Sequence, residues 1–317
     1  MRTAPRLLAT LPVALRTPHQ EEGRCLSPAS ALALTGCVDN STPASSGGGG
    51  STTSAAAGVK KDASLAAQLP QKIKDAGTIV VGMDDTYPPN EYKDDNGQPT
   101  GWEVDLANAI GAKLGVKTQF AIAKFDNIIP SVVGGKDDYG MSSFTDTTER
   151  EKQVDFVNYY SAGILWASAK GKTIDPDDAC GKKVAVQSTT YEDTDEVPAK
   201  SKACTAKGKP AVQALRYDTQ DDATNAVILG KADALSADSP VTLYAISKSQ
   251  GKLQEAGKTF DVAPYGLAVA KGSKLTPVLQ KALQALIDDG TYKAVLDKWG
   301  VADGGATTAE VNAASKG

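Results

Sequence analysis

The chain has 317 residues, of which 41% are hydrophobic and 6% aromatic, enough apolar material for two packed cores. Its 34 basic and 38 acidic residues give a net charge of -4 without a basic block or an arginine-rich stripe, which argues against nucleic acid as a partner. The single histidine, His19, lies in an N-terminal region interpreted below as a signal. The mature protein would therefore lack histidine-based nucleophiles and histidine-containing metal sites.

The first 36 residues have the features of a secretory signal peptide, with a basic start, apolar runs and a small-residue cleavage site. They lead into Leu34-Thr35-Gly36-Cys37, which resembles a bacterial lipobox, so we expect Cys37 to be lipidated. The charged stretch at 16–24 interrupts the apolar pattern. It leaves open a translation start further downstream or a soluble N-terminal arm.

Residues 37–60 are rich in Ser and Gly and are predicted to form a flexible tether, whose reach is roughly 25 Å for about 20 residues. No apolar run of about 18 residues follows, so we predict an exported protein held at the extracellular face of the cell membrane by its lipid alone. In such oxidising surroundings Cys180 and Cys204 are predicted to pair, closing a loop of about 25 residues, with two free thiols as the alternative.

From residue 78 onward, short apolar runs alternate with helical patterns, which indicates an α/β architecture. Residues 78–84 (TIVVGMD) predict a buried strand, and an amphipathic helix follows at 104–114. A second strand is predicted near 118–125. After it come a helix that ends at Gly134-Gly135 and a third strand that begins within 136–143 (KDDYGMSS).

The segment 132–143 (VVGGKDDYGMSS) has an echo much later in the chain, at 223–238 (ATNAVILGKADALSAD). In open parallel sheets, ligands bind at the carboxyl ends of the strands. Ser142 and Ser143 would lie at one such end, and Asp238 would lie at the other. The echo therefore predicts two similar lobes that face each other across a cleft.

Two helices are predicted near the C-terminus. The first begins at Thr276 and Pro277, and the second ends at Gly300. Residues 301–317 are expected to be disordered.

Eight motifs occur in the order and spacing of one protein family: VVGMDDTYPPNEY, GWEVDL, FDNIIPSV, GMSSFTDTTEREK, VDFVNYY, KKVAVQSTTYE, ALSADSP and DDGTYKAVLDKWG. Through these motifs the chain resembles the polar amino acid family of solute-binding proteins of ABC importers, the bacterial extracellular solute-binding protein family 3, in its lipoprotein form. The resemblance implies a two-lobe α/β fold of the periplasmic-binding-protein type (type II), with the lobes joined by two crossover strands. Lobe 1 would comprise 61–162 and 263–300, and lobe 2 would comprise 163–262.

The function implied by this resemblance is capture of a small polar amino acid by a monomeric protein, which delivers it to a membrane permease without a cofactor or a catalytic step. Arg150 matches the arginine that grips the α-carboxylate of the ligand, because its planar fork can make two parallel bonds. Ser143 and Thr145 match positions that bind the same carboxylate. Asp238, on the other lobe, matches the acid that receives the α-ammonium, so the resemblance implies closure of the lobes around the zwitterion.

Further positions match the walls of the family's ligand site. Tyr87 and Phe125 match the aromatic pair that sandwiches the ligand, and Asp84 matches an acid that binds the end of the ligand side chain, although a shift of one residue would place Asp85 there. Thr189 and Thr190 match the start of a lobe-two helix, again with an uncertainty of one position.

The acidic residues near the side-chain pocket, Asp84, Asp85 and Glu91, argue against an acidic ligand and favour a glutamine-like or basic one. Lys124, beside Phe125, would allow glutamate as an alternative. Two other functions remain open at this point: a sensory binding protein that reports to a membrane receptor, and a dehydratase on the same fold with a cleft carboxylic acid as its general acid.

Overall fold

A computed structural model describes residues 58–316. The predicted signal peptide, the predicted lipidation site at Cys37 and most of the predicted tether at 37–60 lie outside the described residues. Within 58–316, none of the helices is long and apolar enough to cross a membrane.

Twelve strands and nine α-helices are found in this part of the chain. The strands are β1 (Thr78–Met83), β2 (Thr86–Tyr87), β3 (Glu91–Lys93), β4 (Pro99–Thr100), β5 (Lys117–Ile122), β6 (Tyr139–Gly140), β7 (Val154–Ala169), β8 (Lys183–Gln187), β9 (Gln213–Tyr217), β10 (Ala234–Asp238), β11 (Leu253–Ala270) and β12 (Gly305–Val311). The helices are α1 (Ala63–Gln68), α2 (Gln71–Ala76), α3 (Trp102–Leu114), α4 (Phe125–Val133), α5 (Val197–Ala206), α6 (Gln220–Ile228), α7 (Ser239–Lys248), α8 (Thr276–Asp288) and α9 (Thr291–Trp299).

Nine strands form one sheet in the order β5-β1-β6-β11-β7-β10-β8-β9, with β12 paired to β7. Two long strands, β7 with 16 residues and β11 with 18, run antiparallel through the middle of this sheet. Parallel strands lie on either side, with β1 beside β5 and β6 in one half and β8 beside β9 and β10 in the other. The two long strands thus belong to both halves.

The pairing of β7 with β11 is irregular where the strands pass from one half to the other. The register shifts between Ala256 and Phe260, between Phe260 and Ala263, and between Tyr265 and Gly266. Such irregularities bend a strand and increase its local twist. The predicted lobe boundaries at 162/163 and 262/263 fall within or beside this irregular stretch, and they stay predictions.

Each half has its own hydrophobic core. In the first half, apolar residues of β1, α3, α8 and α9 belong to one cluster, which includes the fully buried Trp102 of α3. In the second half, one cluster surrounds the equally buried Trp166 and another lies beneath α6. Separate apolar clusters allow each half to keep its internal packing if the halves move relative to each other.

The residues after Val301 correct one expectation. Instead of being disordered, residues 302–304 form a 3-10 turn, and β12 adds to the edge of β7. The segment contains few large apolar residues and buries Ala309. Its order comes mainly from backbone hydrogen bonds to β7 and from Gln280 and Gln284 of α8, which bind the Ala309 carbonyl and amide at 2.8 and 2.9 Å. Apolar patterning could not reveal a strand held in this way.

A disulfide joins Cys180, in the loop before β8, to Cys204 on α5, with 5.5 Å between the two Cα atoms. The two cysteines are separated by 24 positions in the sequence, and the disulfide closes the loop between them. Such a crosslink stabilises a fold by about 3 kcal/mol, chiefly by limiting the unfolded chain.

Candidate functional site

A cavity lies where the carboxyl ends of β1 and β6 face those of β8 and β10. Eight of the nine ligand-binding residues predicted from the sequence line it: Asp84, Tyr87, Phe125, Ser143, Thr145, Arg150, Thr190 and Asp238. Five further residues complete the wall: Glu91, Ser142, Gln187, Tyr191 and Glu192. Thr189 is not part of this wall, although its carbonyl oxygen touches Arg150.

Arg150, the first residue of a short 3-10 helix, reaches across the cavity. Its Nη1 donates to the Thr145 carbonyl at 2.8 Å, and its Nη2 donates to the Thr189 carbonyl at 2.9 Å. The guanidinium carbon also lies 5.6 Å from the ring centre of Phe125 and 5.8 Å from that of Phe144. Burial lowers the pKa of Arg150, but a guanidinium keeps its charge at physiological pH, so the site holds a fixed cation with several oriented donors.

Asp238 ends β10 on the opposite side of the cavity. Its Oδ2 accepts a 2.8 Å hydrogen bond from the Tyr87 hydroxyl, which links the two halves of the protein. Burial raises the pKa of Asp238 well above its ordinary value, and the nearby charge of Glu192 raises it further. A bound cation would offset both effects, so Asp238 is suited to receive a positively charged group.

Asp84, rather than Asp85, faces the cavity. Its Oδ1 accepts from the backbone and hydroxyl of Thr86 at 2.9 and 2.7 Å, and its Oδ2 accepts from the Phe125 amide at 3.1 Å and from Gln187 Nε2 at 3.0 Å. Burial raises the pKa of Asp84, and the bonds from Thr86 oppose this rise. Asp85 points elsewhere and pairs with Lys93 at 3.1 Å.

Two carboxyl groups meet beneath the cavity. Glu91 lines it and accepts from the Ser142 hydroxyl at 2.8 Å, and Glu103 lies behind it, accepting from Ser143 Oγ at 2.8 Å and from Tyr159 OH at 2.6 Å. Burial raises the pKa of Glu103 to about 7. Burial and the charge of Glu103 raise the pKa of Glu91 well above its ordinary value, and a cation in the cavity would oppose this rise.

The second half supplies three wall residues that sequence reasoning did not select: Gln187 at the end of β8, and Tyr191 and Glu192 just after Thr190. Glu192 opens a π-helix at Glu192–Glu196, a distortion that is common at functional sites. Its side chain is buried, which raises its pKa. The QSTTYE motif indicated that this segment belongs to the ligand site, but it did not show which of its side chains face the cavity.

Lys124 does not line the cavity. Its ammonium pairs with Asp218 Oδ2 at 2.6 Å across the cleft entrance, and both side chains are largely exposed. Within 58–316, no cluster of three or more His, Cys, Asp or Glu side chains is arranged to hold a metal ion.

Comparison with known proteins identifies the family. Residues 79–302 match the model of the bacterial extracellular solute-binding proteins, family 3. Over 250 residues the chain is 40% identical to the arginine-binding protein ArgT of Corynebacterium glutamicum, a match that covers 78% of this chain and 82% of the relative. Over 249 residues it is 31% identical to the ABC transporter glutamine-binding protein GlnH of Bacillus subtilis, covering 76% of this chain and 85% of that protein.

The fold agrees with solved structures. An ancestral arginine-binding protein bound to arginine superimposes with a TM-score of 0.65 at 36% identity, covering 70% of this chain and 98% of that one. The predicted two-lobe α/β fold of type II is thereby confirmed. The chain therefore belongs to the bacterial extracellular solute-binding proteins of family 3.

Proposed function

We propose that this protein binds a cationic amino acid, arginine first, outside the cell and delivers it to an ABC importer. The observation that carries the proposal is the charge of the cavity. Among the described residues that line it, four have carboxyl groups, Asp84, Glu91, Glu192 and Asp238, and Arg150 is the one cation. A zwitterion needs one acid and one base, so the surplus of carboxyl groups favours a ligand with a second positive charge.

The α-carboxylate of the ligand would lie against Arg150. Two of the five guanidinium N–H groups already bind carbonyls, which leaves the other donors for the two oxygens of a carboxylate. Thr145 lines the same cavity, and its hydroxyl can add a hydrogen bond to the carboxylate. The hydroxyls of Ser143 and Thr190 donate to Glu103 Oε1 and to the Gln187 carbonyl, so either would have to turn to bind the ligand. The α-ammonium would replace the Tyr87 hydroxyl as the closest partner of Asp238, or share that carboxylate with it.

The side chain of the ligand would extend toward Asp84, Glu91 and Gln187, and it would cross the face of Phe125, where a cation gains an additional attraction. A guanidinium or an ammonium beside Glu91 stabilises the ionised form of this carboxyl. Uptake of a cationic ligand would therefore lower the pKa of Glu91 and favour release of a proton from this carboxyl.

Closure of the two lobes is part of the proposal. The contacts Tyr87 with Asp238, Gln187 with Asp84, and Arg150 with the Thr189 carbonyl all join residues assigned to different lobes. These residues also line or border the cavity. A ligand that bridges Arg150 and Asp238 would add to the same set of contacts and so favour the closed arrangement.

The alternatives fit the cavity less well. Glutamine has the family's zwitterion but leaves the acids near its side chain without a cation. Glutamate would place another carboxylate beside Asp84 and Glu91, and Lys124, which could have offset it, is engaged by Asp218 at the entrance. We propose that the protein is a binding protein and not an enzyme, because Arg150 and Asp238 together suit an intact amino acid. A protein that reports to a sensory partner instead of a permease would use the same cavity, so the cavity does not distinguish these two roles.

The location and assembly in this proposal follow the sequence: export, a lipid on Cys37, attachment to the cell membrane through that lipid alone, and a monomeric protein. Mass spectrometry of the protein isolated from its native membrane should find the modified cysteine. An unmodified N-terminus upstream of Cys37 would contradict the anchor.

The ligand is tested by calorimetric titration of the purified protein with arginine, lysine, glutamine and glutamate. We expect arginine to bind most tightly and to release protons, which is measured by repeating the titration in buffers of different ionisation enthalpy. Tighter binding of glutamine would refute the cationic ligand while keeping the binding role. Binding of no amino acid would refute both.

A further inference from the structure

The last strand, β12, occupies a special position in the sheet. It begins at Gly305, beyond the part of the chain that matches the family model, and pairs with β7 at Val157–Tyr160. In the second half of the protein, β10 pairs with β7 at residues 164–168. Because β11 pairs with β7 along its length, β10 and β12 share the other edge of the same strand. The C-terminal segment thus covers the β7 edge just before the chain crosses between lobes.

The approach of this segment to β7 is close. A Cβ atom built on Gly304 would lie 2.3 Å from the Ser161 carbonyl oxygen, far inside van der Waals contact, so a side chain at this position is not accommodated. Tyr160 OH donates to the Val301 carbonyl at 2.9 Å and fixes the start of the segment. The path of the chain at the crossover and the path of the C-terminal segment are therefore set together.

The turn that follows β12 binds the segment that carries Arg150. The Ala313 amide donates to Asp146 Oδ2 at 2.8 Å, and the Ser315 amide donates to Glu151 Oε1 at 3.2 Å. Asn312 Oδ1 accepts from the Phe156 amide at 2.7 Å, which attaches the turn to β7 as well. The two ends of the segment 146–151 are thus each held by one residue of the C-terminal turn.

Arg150 lies between these two attachment points. Its Nη1 binds the carbonyl of Thr145, which directly precedes Asp146. Asp146 is buried, and its Oδ2 also accepts from Asn158 Nδ2 of β7 at 3.0 Å. A movement of the C-terminal turn would consequently shift both the carbonyl partner of the guanidinium and the backbone that carries it.

We infer that β12 and the turn 312–315 form a positioning element for the ligand site: they hold Arg150 in the orientation that binds the α-carboxylate. This inference rests on the proposed function for its ligand, but its geometry depends only on contacts within the chain. A segment that merely added stability would affect unfolding and leave carboxylate recognition unchanged in the folded protein.

The test uses the full chain with one change on each side of the junction. Asn312→Ala removes the acceptor of the Phe156 amide, and Asp146→Ala removes the acceptor of the Ala313 amide. Asp146→Asn keeps a carbonyl oxygen there and serves as the conservative variant. Thr308→Ala, at an exposed position of β12, is the matched control.

We expect both disrupting variants to bind arginine about tenfold more weakly, whereas Asp146→Asn and Thr308→Ala stay within about twofold of the unaltered protein. In an Arg150→Lys background the effect of Asn312→Ala should largely disappear, because both changes act on the same interaction. Additive losses, or unchanged affinity in folded Asn312→Ala protein, would overturn the inference.

Hydrogen exchange of the ligand-free protein supplies a second readout that does not depend on the identity of the ligand. The amides of Glu151 and Lys152, which bind the Thr147 and Glu149 carbonyls, should exchange faster in Asn312→Ala than in Thr308→Ala. If the unaltered protein binds no amino acid, the proposed function fails while this measurement still decides the positioning. Equal exchange in both variants would overturn the inference even if arginine binds.

Discussion

Replacement of Arg150 by lysine tests how the site recognises a carboxylate. The guanidinium has five N–H donors, of which one each from Nη1 and Nη2 binds a carbonyl, at 2.8 and 2.9 Å. Three donors remain and can include a parallel pair. A lysine ammonium has three donors, and if two bind the same carbonyls, one remains. The substitution therefore removes one charge-assisted hydrogen bond, worth about 1.5–3 kcal/mol, and the expected loss of affinity is roughly 10- to 150-fold.

Calorimetric titration of Arg150→Lys with arginine measures this loss. Arg216→Lys is the matched control, because Arg216 is 57% exposed, pairs with Asp193 and does not line the cavity. We expect the control to bind like the unaltered protein. An affinity of Arg150→Lys within about threefold of the unaltered protein would show that the carboxylate binds elsewhere.

Three further predictions concern pH and stability. Because burial and the charge of Glu103 raise the pKa of Glu91, and a cation favours its ionised form, arginine affinity should rise as the pH rises above the ordinary titration range of a glutamate; a flat profile, or an equal rise for glutamine, would contradict this role. Burial raises the pKa of Glu103 to about 7, so the folded protein retains a proton that the unfolded chain loses near pH 4.5. The free energy of unfolding of the ligand-free protein should therefore decrease as the pH rises from about 4.5 to about 7, and denaturant titrations of Glu103→Gln should show a smaller decrease. Joint replacement of Cys180 and Cys204 by serine should lower the free energy of unfolding by about 3 kcal/mol with arginine binding unchanged, and a loss of binding in the folded variant would show that the disulfide shapes the cavity.

The sequence located much of the candidate site because its charged residues are in distinctive motifs. The echoed strand ends placed Ser143 and Asp238 on opposite sides of a cleft, and both line the cavity. The motif containing Arg150 likewise led to a cavity residue. In these cases the location of the side chain follows directly from the end of a strand or from a family motif, so its position in the sequence was sufficient to predict that it lines the cavity.

The remaining wall residues depend on local geometry that sequence patterns do not encode. Glu192 turns into the cavity at the start of a π-helix, whose phase differs from that of an ordinary helix, so a 3.6-residue period gives the wrong face. Thr189 adopts a φ of 65° and contributes its carbonyl instead of its side chain. The segment that forms β12 was wrongly expected to be disordered, since its order comes from hydrogen bonds to distant residues.

The ion pair between Lys124 and Asp218 bears on how the protein would behave in surroundings of different salinity. Its side chains are 60% and 67% exposed, so it contributes about 0–1 kcal/mol and is screened by dissolved ions. The four carboxyl groups that line the cavity are buried, where screening by ions is much weaker. A rise in salt concentration should therefore weaken the ion pair between Lys124 and Asp218 before it weakens the charged contacts with the ligand. A solute-binding protein built in this way would exchange its ligand faster at high salt while retaining most of its affinity for that ligand.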